Sequence, residues 1–114
     1  MMNNDKYAEA VAEIMGWTIH YDTRMGDVWD IPENMYLLDV DKFNPATDWA
    51  SAGVWIEWLA AHSDALVTIG TYGYARPTVT IDTDNKACEG QADTVLEALK
   101  NASEKFIVNM IRSE

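Results

Sequence analysis

The side chains in this sequence that are able to do chemistry are few and widely spread. Nucleophilic catalysis needs a serine, cysteine or threonine beside a base, and the single cysteine, Cys88, has only His20 and His62 to draw on. Neither spacing carries a local signature, so Cys88 reads as an inert packed thiol. His20 reads as a packed residue and His62 as a partner for a helix C-terminus. Phosphate-loop and dinucleotide-loop glycine patterns are absent. Asp39, Asp41 and Asn44 place oxygens at near-alternate positions, as do Asp82, Asp84 and Asn85. Neither set has the glycine and terminal glutamate of an EF-hand loop, and turns and a helix cap account for both. The expectation is no catalytic residue, no metal and no cofactor, hence a protein that is not an enzyme.

What the sequence does concentrate is acid among aromatics. Asp22, Asp27, Asp30, Glu33, Asp39 and Asp41 crowd residues 22–42 with only Arg24 and Lys42 to balance them, and Trp29 lies in their midst. Aromatic anchors interleaved with like charge suit a binding rim. An acidic rim favours a basic protein surface, with attraction that fades as salt rises. The expected function is a protein-binding factor with Asp22, Asp27, Trp29, Asp30, Glu33, Asp39 and Asp41 at its site. The alternative is a small-ligand-binding, sponge-like protein whose pocket is lined by Trp17, Trp29, Tyr36, Tyr72 and Tyr74.

Composition narrows the partners. With 19 acidic residues against 8 Lys and Arg in 114 residues, the formal charge is −11, which opposes nucleic-acid backbones and anionic membranes. One cysteine leaves no internal disulfide and no thiolate zinc cage. No run approaches the roughly 20 apolar residues of a membrane span. The opening MMNNDKYAEA lacks the basic-then-apolar order of a secretory leader. A cytoplasmic monomer or small homo-oligomer of one domain, residues 1–114, is expected.

These residues must be positioned by elements that the patterning makes visible. Residues 44–61, NPATDWASAGVWIEWLAA, hold three of the five tryptophans. Asn44 before Pro45 and Thr47 before Asp48 offer two helix starts. Ala52, Trp55, Ile56 and Leu59 form one apolar stripe, with Trp58 on its flank and Trp49 and Val54 off it. A helix this apolar around its circumference is expected to be covered on more than one side, with Trp55 and Trp58 in or near the core. Upstream, residues 5–15 form an amphipathic helix with Tyr7, Val11, Ile14 and Met15 inward and Gly16 as its left-handed stop. Residues 17–21, WTIHY, read as a short extended segment. Residues 22–42 show no sustained period and read as an ordered flap, extending to about residue 43, with a brief strand at 35–38. Downstream, residues 65–72 and 76–83 alternate as an antiparallel hairpin turning at 73–75, and residues 86–89 add a short third strand. Thr94 and Glu97 form the capping box of a last helix, whose inward stripe is Val95, Leu96, Leu99, Ala102, Phe106 and Met110. The fold class is α+β: helix, flap, helix, antiparallel sheet of two or three strands, C-terminal helix, layered as helices on a small sheet. The helix-strands-helix order also occurs in double-stranded-RNA-binding domains, but an acidic last-helix start at Asp93 and Glu97 does not hold phosphates.

The runs NPATDWASAGVWIEWL (44–59) and ACEGQADTVLEALKNA (87–102), with Gly16-Trp17 after the first helix, resemble the phage ABA sandwich domain, a small phage and prophage protein family. The shared features are a Pro-x-Thr-Asp helix start with a tryptophan inside and a Gly-x-Ala-x-Thr approach to an Ala/Leu-rich helix. The likeness spans residues 5–102. It implies a layered α/β/α arrangement and a phage accessory protein of unestablished activity in the cytoplasm of a host cell. The threonine-rich outer face of the hairpin points instead to two layers.

Overall fold

The computed structural model describes residues 2–24, 26–31, 36–70, 76–84 and 86–113, and of residues 36–37 and 111–113 the path of the chain only. Among the described residues, three helices and two antiparallel three-stranded sheets make an α+β fold. Helix α1 spans Asn4–Ile14. The Asn3 side chain caps it by accepting from the Lys6 amide, and Gly16 leaves it at φ +84°, a conformation open to glycine at little cost. Tyr7, Ala8, Val11 and Ala12 are its buried face.

The stretch from 18 to 42, read mostly as a flap, is a sheet. Strands β1 (Thr18–Asp22), β2 (Gly26–Ile31) and β3 (Tyr36–Asp39) form a meander in the order β1-β2-β3, closed by a 3-10 turn at Val40–Lys42. Its period was hidden for a physical reason. Val28 and Trp29 are adjacent and both buried, so β2 is covered on both faces at its centre, while Asp27 and Asp30 are exposed on opposite faces. A strand with acid and core on each side shows no alternation.

Helix α2 spans Trp49–His62, shorter than the 44–61 reading, because Asn44 begins a turn instead of the helix. The Asn44 carbonyl accepts from the Thr47 and Asp48 amides, and Asp48 is the true cap. Its Oδ2 takes the Ser51 amide at 3.1 Å and the Ser51 hydroxyl at 2.8 Å, and Ser51 Oγ in turn accepts from the Asn44 amide. The Ser51 hydroxyl, then the Ser51 and Ala50 amides, hold the Asp48 carboxyl below the usual aspartate range, so this cap is fully effective above ordinary carboxylate pH and weakens as pH falls. Ala52, Trp55 and Leu59 are buried, but Trp49 is 58% and Val54 43% exposed. Among the described residues α2 is thus buried along one broad face, where Ser51, Ala52, Trp55 and Leu59 are buried and Ile56 and Trp58 pack half-buried against the core, and the expected cover on further sides is not found.

Strands β4 (Leu66–Gly70), β5 (Thr78–Asp82) and β6 (Ala87–Gln91) form the second sheet in the order β4-β5-β6. The hairpin turn assigned to 73–75 lies outside the described residues. Val79 and Ile81 are buried and face helix α3 (Val95–Ser113), while Leu66, Thr68, Glu89 and Gln91 on the other face are exposed. Among the described residues that second face is thus wet along the two edge strands, as the two-layer reading has it, while along β5 Thr80 and Asp82 are half-buried and Thr78 is buried. A Cβ at Gly90 would collide with Ala98 O and Ala102 N and lie 2.9 Å from Asn101 C. The strand therefore reaches the helix backbone only because Gly90 has no side chain and α3 presents Ala98 and Ala102.

The three helices meet at the hydroxyl of Ser103, wholly buried on α3. Trp55 Nε1 donates to Ser103 Oγ at 2.8 Å and Tyr7 Oη donates at 3.3 Å. Burial, opposed by the Ser103 hydrogen bond and reinforced by the negative charge of Glu104, pushes the Tyr7 phenol well above its ordinary range.

Three outcomes follow for folding stability. Replacing Ser103 by Ala leaves a buried indole N–H and a buried phenol without their acceptor and costs about 2–3 kcal/mol in chemical unfolding. Gly90→Ala, whose collisions are with backbone atoms, costs about 3 kcal/mol, the upper end for overpacking. Because the folded Tyr7 pKa is raised, its contribution is complete below the ordinary tyrosine value of about 10 and declines as pH rises beyond it. Tyr7→Phe flattens that alkaline limb in a stability-versus-pH series.

Candidate functional site

The first sheet decides how the acidic residues are shared out. Successive residues of a strand face opposite sides, and the register opposes Trp29 to Ile19 and Leu38, and Asp27 to Tyr21. Those residues share the face toward the core. Val28 opposes His20 and Asp39, Asp30 opposes Thr18, and Asp22 opposes Gly26, which puts Asp22, Asp30 and Asp39 on the other face. The acids expected at one rim are therefore divided by the pleat. Two of them also serve the backbone: Asp22 Oδ1 accepts from the Arg24 amide at 2.7 Å and Asp39 Oδ1 from the Asp41 amide at 3.0 Å. Glu33 lies outside the described residues.

On the Trp29 face, α1, β2 and the 3-10 turn enclose a cleft of about 310 Å³ lined by Asp5, Ala8, Glu9, Ile19, Trp29, Val40, Asp41, Phe43 and Asn44. Its lining is mixed: Ala8, Ile19, Trp29, Val40 and Phe43 are apolar, and Asn44 with three carboxylates, Asp5, Glu9 and Asp41, makes up the rest. Trp29 and Asp41 are the two expected site residues brought to this cleft. Asp5 and Glu9 went unrecognised because on a helix wheel they belong to the solvated side of α1. Their i, i+4 spacing puts them on one edge of that helix, beside the buried Ala8, and this was the available signal.

The aromatic residues of the alternative pocket are placed differently. Trp17 packs on Trp29 at 6.3 Å between ring centroids and on Phe43 at 4.7 Å. Trp17 and Trp29 are 8% and 2% exposed, so they are chiefly core, with Trp29 also forming cleft wall. Tyr72 and Tyr74 lie outside the described residues, as does the side chain of Tyr36.

The remaining reactive side chains lie away from this cleft. Cys88 is buried under α3, where its sulfur accepts from Asn109 Nδ2 at 3.4 Å. His62 stacks on Trp58 at 5.1 Å, and Trp58 on Trp55 at 5.8 Å, a ladder of near-parallel rings running from the core to the end of α2. His20 stands exposed on β1. Among the described residues no three His, Cys, Asp or Glu side chains converge to hold a metal ion, and no helix is long and apolar enough to cross a membrane. In Asp39, Asp41 and Asn44 two of the three side chains are turned to local amides, Asp39 to Asp41 and Asn44 to Ala46, so a cation would have to compete with existing hydrogen bonds. Millimolar calcium or magnesium is accordingly expected to leave the melting temperature unchanged in differential scanning fluorimetry, and a rise of several degrees would contradict this.

Comparison with known proteins finds no matching family model, no matching curated protein and no matching solved structure.

Proposed function

We propose that this chain is a non-catalytic protein-binding factor for a basic protein surface, and that the cleft between α1 and the first sheet receives a lysine or arginine of that partner. The observation that supports this reading is the cleft's composition: Ile19, Trp29, Val40 and Phe43 as apolar wall, with Asp5, Glu9 and Asp41 around it. Lysine and arginine have an apolar stem and a cationic head and so match both parts. The surplus of 19 acids over 8 Lys and Arg adds long-range attraction that speeds encounter with a basic partner and disfavours nucleic acid. The likeness of residues 44–59 and 87–102 to the phage ABA sandwich domain supports a phage or prophage setting in a host cytoplasm, where the partner is a host or defence protein. A second reading, a small-ligand sponge, is favoured by the same cleft's aromatic wall. Its volume lies at the lower end of the roughly 300–1,000 Å³ of ligand pockets, and its charge restricts such a ligand to a cation.

The test compares two sets of neutralised variants for binding to an arginine- and leucine-containing peptide by fluorescence anisotropy. Asp5→Asn, Glu9→Gln and Asp41→Asn together are expected to weaken binding about tenfold, as three exposed pairs of about 0.5 kcal/mol each would, and to shrink its salt dependence. Asp30→Asn with Asp39→Asn, on the opposite face, changes affinity by less than about twofold. Equal effects from both sets would leave only diffuse attraction, and no effect from either would refute the reading.

A further inference from the structure

The two edges of the second sheet are built differently. Ala92 N donates to Pro77 O at 3.2 Å, and Thr83 and Lys86 exchange backbone bonds at 2.8 and 3.3 Å. With the register of β5 on β6, this makes Val79/Gly90 and Ile81/Cys88 the hydrogen-bonded pairs. In an antiparallel ladder the residues between such pairs turn their amide and carbonyl outward, so Glu89 and Gln91 present theirs at the β6 edge. Helix α3 meets them with side chains one turn apart: Lys105 Nζ donates to Glu89 O at 2.6 Å and Asn101 Nδ2 to Gln91 O at 3.1 Å. Two outward carbonyls of that edge are thus taken by the protein's own side chains.

Carried across β5, the same alternation bonds Thr78, Thr80 and Asp82 to Gly70, Thr68 and Leu66, and leaves Val67 and Ile69 pointing outward from β4. Ala65, the preceding outward position, gives its amide to Leu59 O at 3.2 Å. Among the described residues no backbone bond takes the outward groups of Val67 and Ile69. Edge strands are usually guarded by lysine, proline or inward charge, and β4, LVTIG, has none of these. Leu66 is 66% and Ile69 47% exposed.

We propose that the free edge of β4 pairs with the same edge of a second copy of this chain, antiparallel about Thr68, to make one continuous six-stranded sheet. In that register Val67 opposes the second copy's Ile69 and Ile69 its Val67. All four outward residues then exchange amide and carbonyl bonds. Leu66 opposes Gly70, whose missing side chain leaves room for it, and Thr68 opposes itself on the two-fold axis. The strand is self-complementary in shape, and it is uncharged in a chain of formal charge −11. It therefore suits an identical uncharged edge better than the basic partner that the acidic cleft attracts. A five-residue edge falls short of the roughly 1,200 Å² of a standard stable interface, so the association is weak and opposed by the net charge of both copies. Salt strengthens it, the reverse of binding at the cleft, which separates the two proposals experimentally.

Sedimentation equilibrium from micromolar to submillimolar protein reads the association. The weight-average mass is expected to climb from 12.8 kDa toward twice that value, and to do so at lower concentration when salt is raised from about 0.1 M to about 0.5 M, where charge repulsion is screened. Ile69→Lys, at an exposed edge position, abolishes the climb while circular dichroism and melting temperature stay near those of the parent. Register is read by disulfide trapping: Thr68→Cys, self-opposed at a non-hydrogen-bonded pair, cross-links under mild oxidation, whereas the likewise exposed Leu66→Cys, opposed to Gly70, does not. A mass that stays monomeric throughout overturns the proposal. So does a dimer that survives Ile69→Lys, or one in which Leu66→Cys cross-links as readily as Thr68→Cys.

Discussion

The shared hydroxyl of Ser103 is the constraint on which the packing of this protein turns. A serine oxygen has two acceptor positions and one proton, and both acceptor positions are taken, by Trp55 of α2 and Tyr7 of α1. The two largest side chains that the helices direct to this point each carry one polar atom that must be satisfied, and one small residue serves both. The position tolerates little else, since a larger side chain would part α1 from α2 and an apolar one would orphan two donors. Helix α3 is fixed from its other side by the absence of atoms, at Gly90 against Ala98 and Ala102. One helix is thus held between a polar knot and a steric contact, and the second sheet and the first two helices are positioned relative to each other through it.

How much of this was legible follows from what each signal encodes. Helix starts and stops were readable because caps are local: Thr94 Oγ1 accepts the Glu97 amide as the capping box requires, and Gly16 takes the left-handed conformation. The second sheet was readable because one of its faces is wet, which imposes alternation on Val79 and Ile81. Of the first sheet the outer strands were read, as the extended segment at 17–21 and the brief strand at 35–38, but the central strand β2 was not, since Val28 and Trp29 bury opposite faces and the acids flank both. Ser103 was missed for a related reason. In a helix read by hydrophobic spacing, a serine at a buried position looks like a break in the stripe, and its role appears only once Tyr7 and Trp55, distant in sequence, are brought to it. The acids of residues 22–42 were legible as a cluster in sequence but not as two faces, because that division needs the strand register.

The distribution of charge on the surface follows from these placements. Acids are concentrated on α1, the first sheet and its closing turn, where Asp5, Glu9 and Asp41 border an apolar wall and Asp30 faces the opposite side. Helix α2 carries one acid, Glu57, among its 14 residues, and β4 carries no charge. With a formal charge of −11, mutual repulsion keeps copies apart at long range while doing little to a contact made through uncharged groups once the Debye length is short. The acidic surface and the uncharged edge therefore respond to ionic strength with opposite sign. A partner held by the first is released by salt, and one held by the second is gathered by it.

Edge protection sharpens this contrast. Asn101 and Lys105 are given to two carbonyls of β6, ordering two flexible side chains at an entropic cost of order 1–2 kcal/mol for a lysine, at an edge that α3 already overlies. At β4, where α2 ends at the Ala65 amide and goes no further along the strand, no comparable group is present among the described residues. A strand left with outward amides and carbonyls, exposed leucine and isoleucine and no guarding charge is the arrangement that pairs with another strand unless something prevents it. In this chain the remaining brake is net charge, which is a property of the whole surface and of the solution around it. Whether β4 stays single would therefore depend on ionic strength and concentration together with the lack of a guarding charge on the strand itself.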